Sequence, residues 1–164
     1  MPKFIHGQRF QGQNLVIVFD PGETTGYCVL RIDKDAKHIE IVELGEFRDS
    51  SQLVMLFTLD DTIARQLCVL FEGFTLFANT VVSPVPMEVI GAIRWITKHM
   101  NICTFKQPPS ERKVAEKIFR ADITKYNSHH LDALLHGLSF CISQYNIFKN
   151  YTITHPRQVN YFGS

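Results

Sequence analysis

Residues 14–30 read NLVIVFDPGETTGYCVL, and this stretch decides the fold. Residues 14–19 are a short apolar run dense in β-branched side chains, stopped by Asp20-Pro21-Gly22. A run of that length and composition predicts a central strand buried on both faces. Pro21 and Gly22 suit a tight turn. Residues 25–31 (TGYCVLR) then resume as a second strand. Asp20 therefore stands at a strand end in mid-sheet, a rigid place for a carboxylate. Asp-Pro-Gly alone is a common turn, and its Asp has a purely structural use there.

Working outward, residues 38–47 roughly alternate, with Ile39, Ile41 and Leu44 set against His38, Glu40 and Glu43. That period of two predicts a strand with one wetter face. With the two strands before it, it completes a three-stranded antiparallel meander. Residues 51–66 suit one helix, whose apolar face is offered by Leu53, Leu56, Phe57, Ile63 and Leu67. Residues 67–71 (LCVLF) form a second buried strand, ending at Glu72-Gly73. Pro84 and Pro86 suit a helix's first turn, and Met87, Ile90, Ile93, Ile96 and Met100 mark its apolar stripe. Residues 101–105 are a short strand closed by Pro108-Pro109. Ser110 is the expected N-cap of a basic helix over 111–119, and Ser128 that of the last helix. The core face of that last helix carries Leu131, Leu134, Leu135, Leu138 and Ile142. Residues 1–13 read as a loose polar lead-in, and the tail after Tyr145 shows no period. Strands first, then strands alternating with helices, predict an α/β domain with a mixed five-stranded sheet, three strands antiparallel and then two parallel.

The chain has 164 residues, 45% apolar and 20% charged, which predicts a single domain over 1–164 with its core at about 14–145. Cys28, Cys68, Cys103 and Cys141 are scattered with no CxxC pair. They read as reduced core residues of a cytoplasmic protein. No apolar run reaches spanning length, and the N-terminus lacks a signal-peptide core; no membrane partner is expected. A net charge of +1 is low for a duplex-DNA binder. Acids gathered at a metal site would cancel basic residues elsewhere in that sum.

Four residues could meet at one point: Asp20 and Glu72 at the ends of buried strands, and His129 and Asp132, three apart on one face of the last helix. Acidic groups brought together repel, and a divalent cation relieves them. Hydrolysis of a phosphodiester needs an activated water and stabilised charge, which two ions roughly 3.5–4 Å apart supply. Hard cations favour carboxylate oxygens, and a histidine among them admits Mn²⁺ as well as Mg²⁺. Each residue has a bland use alone: Glu72 as a solvated strand end, Asp132 favourably placed in a helix's first turn, His129 as an ordinary first-turn residue. Their joint order and placement point to a catalytic and metal-binding set of Asp20, Glu72, His129 and Asp132.

At VIVFDPGETTGYCVL (16–30), VLFEGF (69–74) and HHLDALLHGL (129–138) the chain resembles the RuvC-type Holliday junction resolvases of the ribonuclease H-like superfamily. The stretch PPSERKVA (108–115) is similar to the basic segment before the last helix in phage-type members. In that family a strand ending in DPG, an acid closing the fourth strand, and a helix bearing Asp or His and then Asp three residues on carry the metals. The resemblance implies a ribonuclease H-like fold, two Mg²⁺ (or Mn²⁺) ions per site, a homodimer and four-way DNA junctions as substrate. It also implies a bacterial or phage-infected host cell. His129 stands where most members have an acid, and the segment between Phe105 and Ser128 is short.

Arg112, Lys113 and Lys117 offer a phosphate-contact patch beside the site; a solvated helix face explains each of them equally. Thr25 lies where backbone could approach a strand closely. Phe74, in the loop after Glu72, could stack on an unpaired base, although such a side chain more often joins a core. His136, one turn beyond Asp132, could orient it. Three other functions compete. DPGETTG also fits the phosphate loop of actin-like ATPases and sugar kinases, but the chain is short for their two domains and no nucleotide cofactor is expected. Another ribonuclease H-like nuclease, acting on RNA–DNA hybrid, flap or precursor RNA, would use the same residues. A non-catalytic DNA-binding scaffold would have no need to gather repelling groups.

Overall fold

The computed structural model describes residues 2–58, 60–73, 83–123, 126, 129–147 and 150–156, with the side chains of 120–122 excepted. In chain order the elements are β1 (Lys3–His6), β2 (Leu15–Asp20), β3 (Thr25–Asp33), β4 (His38–Phe47), α1 (Ser51–Leu56), α2 (Asp61–Gln66), β5 (Leu67–Glu72), α3 (Val85–His99), β6 (Cys103–Gln107), a 3₁₀ turn (Pro109–Glu111), α4 (Arg112–Ile123), α5 (His129–Tyr145) and β7 (Thr152–Thr154). The strands form one sheet in the order β1-β6-β5-β2-β3-β4-β7. The antiparallel meander β2-β3-β4 and the parallel trio β2-β5-β6 are those expected from the sequence.

The sheet has seven strands rather than five. The added two lie in segments read as a lead-in and a tail. β1 pairs antiparallel with β6, where Phe4 meets Phe105 edge-on at 5.6 Å. β7 pairs with the other edge at β4, where Thr154 meets the His38 side chain. Strands of four and three residues carry too few alternations to show a period. They form because a sheet edge offers unpaired backbone groups.

Two helix boundaries also differ from expectation. Residues 51–66 make two helices, because the Asp60 carboxylate accepts from the Ile63 amide at 2.8 Å and starts α2 afresh. An N-cap Asp competes well with helix continuation. Ser110 lies inside the 3₁₀ turn instead of capping a helix at 111. Ser128 falls outside the described residues. On α3, Ile90 and Ile93 are buried as the stripe requires, but Met87 is exposed.

Each sheet face carries its own core. Alternation sends Val16, Val18, Cys28, Leu30, Cys68 and Leu70 toward α4 and α5. It sends Ile17, Phe19, Val69 and Phe71 toward α1–α3. All four cysteines are buried and free. The tight seat of α5 on the sheet depends on Gly137: a Cβ there would lie 2.8 Å from Leu30 Cδ1 and 3.0 Å from Val18 Cγ2. Among the described residues no helix is long and apolar enough to cross a membrane.

Candidate functional site

The register brings five strand ends into one row. Asp20 pairs with Gly26, Gly26 with Glu46, and Glu72 with Gln107. The pairing of Phe19 with Phe71 makes Asp20 and Glu72 neighbours one residue further on. Paired positions point to the same face, and the inward neighbours Val18, Leu70, Cys28 and Leu44 all belong to the α5-side core. The row Gln107–Glu72–Asp20–Gly26–Glu46 therefore faces α5.

Gly26 sets how closely α5 approaches. A Cβ at this position would stand 2.1 Å from the His129 carbonyl oxygen, so only glycine admits the start of the helix. From there α5 reaches down at three points. His130 Nδ1 lies 3.1 Å from Glu46 Oε1. His136 Nε2 lies 2.6 Å from Glu72 Oε2. Asp132 lies between them in sequence and acts electrostatically on Asp20. Both histidines are fully buried.

The carboxylates perturb one another strongly. Burial, the Glu72 charge, a hydrogen bond with Glu72 and the Asp132 charge raise the Asp20 pKa to about 8, against a smaller opposing effect of Arg112. Burial also pushes Glu72 upward. The hydrogen bond and charge of His136, the Asp20 hydrogen bond and Arg112 outweigh it, leaving Glu72 below its ordinary value. Near neutrality Asp20 thus holds a proton and donates it in a hydrogen bond to ionised Glu72. Like charges at one site share a proton in this way.

Asp20, Glu72 and Asp132 converge as the sequence led us to expect. His129 is exposed at the first residue of α5, and no described contact ties it to the acids. His136 reaches Glu72 instead of Asp132, the partner expected from helix spacing. Arg112, expected at a DNA surface, turns inward with Nη1 2.8 Å from Asp132 Oδ1. Thr25, at the expected place of close backbone approach, is buried, and its hydroxyl donates to the Gly22 carbonyl at 3.3 Å, closing the turn. Lys113 and Lys117 are exposed on α4, as is Lys106 on β6. Phe74 lies outside the described residues.

Two members of the site escaped sequence reasoning. Glu46 was one of several polar residues in an alternating strand. Gln107 ended a strand expected to close at Phe105. Gln107 is fully buried beside Glu72, and neither atom of its amide has a partner among the described residues; the same holds for His136 Nδ1.

Among the described residues no three His, Cys, Asp or Glu side chains are gathered as an ion cage. Glu72 is turned to His136 and Asp20, and Asp132 to Arg112. The donor set nonetheless fits a hard divalent cation. It consists of carboxylates crowded enough to retain a proton, with an unpartnered amide beside them.

No family model and no curated protein matches the chain. Solved structures share its architecture, three of them as follows. Thermus thermophilus RuvC matches with a TM-score of 0.59 at 12% identity, over 82% of this chain and 98% of that one. T. thermophilus RuvC in complex with a Holliday junction substrate gives 0.58 at 14%, over 82% and 98%. The fowlpox virus Holliday junction resolvase gives 0.53 at 15%, over 79% and 99%. The fold is that of RuvC. The ribonuclease H-like fold implied by the resemblance is thus present, and this chain's sheet carries one further strand at each edge than expected from the sequence. β2 and β5, the parallel pair at its centre, end at Asp20 and Glu72.

Proposed function

We propose that the chain is a divalent-metal-dependent, structure-selective endonuclease that cuts branched DNA, with four-way junctions as its substrate class. The observation that carries this reading is the convergence of Asp20, Glu72 and Asp132 at the end of the sheet, where burial and the neighbouring carboxylates raise the Asp20 pKa. The match to RuvC bound to a Holliday junction supports the choice of substrate.

Asp20, Glu72 and Asp132 would hold Mg²⁺ or Mn²⁺, and His129 remains the fourth candidate on its motif alone. Divalent ions bound there supply an activated water and neutralise charge at phosphorus and the leaving oxygen. The protein's own residues prepare that chemistry. The β2 and β5 backbones hold Asp20 and Glu72 rigidly side by side. His136, itself buried, orients the Glu72 carboxylate and keeps it ionised. Lys113 and Lys117 on α4, with Lys106 nearby, would bind phosphates and place the strand without reading its sequence. A homodimer would present two such sites to a two-fold junction.

The test is a panel of labelled four-way junction, flap, linear duplex and RNA–DNA hybrid, each with and without Mg²⁺. Cleavage of the four-way junction that depends on Mg²⁺ and is abolished by Asp20→Asn, with binding retained, is the expected result. Preference for the hybrid would select another ribonuclease H-like nuclease. ATP turnover without cutting, or full cleavage by Asp20→Asn, would overturn the reading.

A further inference from the structure

Arg112 opens α4 but does not point out with Lys113 and Lys117. Its Nε donates to the Pro109 carbonyl at 3.3 Å, which fixes the base of the guanidinium over the 3₁₀ turn. Its Nη1 meets Asp132 Oδ1 at 2.8 Å, and its charge is felt by Glu72 and Asp20 as well. The two paired side chains are 34% and 36% exposed, so solvent reaches the contact and the pair can open. An ion pair that wet contributes little to stability. Its position, on a carboxylate needed elsewhere, calls for another explanation.

Even with Asp20 protonated, Glu72 and Asp132 leave negative charge at this end of the sheet, and a nearby positive charge is favoured when no ion is bound. Arg112 supplies it, and in doing so it occupies an oxygen that a hard cation would need. We propose that Arg112 is a displaceable countercharge: it holds Asp132 in the ion-free protein, yields it to an incoming divalent cation, and then binds a phosphodiester of the DNA strand. This rests on the reading of the acidic site as a metal site. Once released, a guanidinium tethered at Pro109 stands beside a doubly charged ion and is repelled unless an anion joins it. A backbone phosphate is the anion that arrives with substrate, and the planar fork of arginine matches it. Ion and DNA therefore favour each other's binding, and by linkage the effect is reciprocal.

The experiment compares wild type, Arg112→Gln and Arg112→Lys, with melting curves to check folding. Mn²⁺ binding is measured by electron paramagnetic resonance without DNA. Binding of a four-way junction is measured in EDTA and again in Ca²⁺. Arg112→Gln is expected to bind Mn²⁺ about fivefold more tightly, because no side chain competes for Asp132. In EDTA it should bind the junction as wild type does, within about twofold. In Ca²⁺ it should fall about tenfold behind. Arg112→Lys, a cation without the fork, should lie between the two, and it carries the same comparison if the glutamine variant does not fold. An equal loss of junction binding in both buffers would overturn the proposal, since it would make Arg112 a fixed phosphate contact. Unchanged or weaker Mn²⁺ binding in Arg112→Gln would overturn it too. Absence of Mn²⁺ binding in all three proteins would instead remove the metal site, and the countercharge with it.

Discussion

At the scale of single residues, Asp20 and Glu72 form a pair with opposed shifts, and each shift has a thermodynamic consequence. The folded-state pKa of Asp20, about 8, lies above its ordinary 3.8. Its contribution to stability is fully present below the ordinary value and is lost as pH rises through about 8. Melting curves in EDTA should therefore show the ion-free protein losing stability from pH 5 to pH 9, and Asp20→Asn should flatten the decline. A wild-type protein equally stable across that range would contradict the crowding of the carboxylates. Glu72 runs the other way, adding stability that is lost as pH falls through its lowered value. His136 holds that carboxylate at 2.6 Å. Replacing it with leucine should cost about 10–100-fold in activity or ion affinity, the usual cost of losing a group that orients a ligand. Activity within twofold of wild type would show that Glu72 needs no such support. The three acids were legible in the sequence, because each sits at the end of an apolar run or the start of a helix. The partners of His136 and Arg112 were not. Helix spacing puts His136 one turn from Asp132, but only the packing of α5 on β5 and β2 puts it on Glu72.

At the scale of elements, α5 is the part on which the site depends. Two glycines let it lie against the sheet, Gly26 under its first turn and Gly137 at mid-helix. In Gly26→Ala a methyl group would be forced against the His129 carbonyl, a backbone atom that cannot rotate away. Overpacking of this kind costs about 1–3 kcal/mol and more against backbone. We expect Gly26→Ala to lower the melting temperature and to abolish cleavage even where the protein still folds, because the turn carrying Asp132 is displaced. Gly137→Ala meets side-chain atoms alone, those of Leu30, Val18 and Cys28. It should destabilise less and keep measurable cleavage. The reverse ranking of the two variants would show that Gly26 does not set the height of the helix. Gly137 does not stand out in the sequence, and Gly26 stands out there only as part of a turn motif, since its need arises from an element more than a hundred residues away. The division of 51–66 into α1 and α2 had a local signal in Asp60, outweighed in the sequence by the apolar period around it.

For the whole molecule, a core on each sheet face holds the fold together without help from the acidic site. Ion-free protein should stay folded, unlike small domains whose folding free energy is metal binding. Added Mg²⁺ or Mn²⁺ should raise the melting temperature, with a gain of about 2.7 kcal/mol when the ion stands at a hundred times its Kd. That gain should vanish in Asp20→Asn. A low net charge sets the other molecular property. On the proposed function, binding to a junction would come from local basic patches instead of the overall charge, and it should weaken with salt. Lys113→Ala should weaken it on every junction sequence and lower the salt slope by about one. An unchanged slope would take Lys113 out of the interface.

The sequence by itself determined the α/β class, the meander and parallel strands at the centre of the sheet, and the three acids at element ends. These follow from local period, turn residues and apolar run length, all contained within short windows. Tertiary structure alone decided the rest: the two edge strands, the row from Gln107 to Glu46, and the ties of His136 to Glu72 and of Arg112 to Asp132. Those features depend on register and on how α5 seats on the sheet, and both are set by contacts between segments with no common window in the chain.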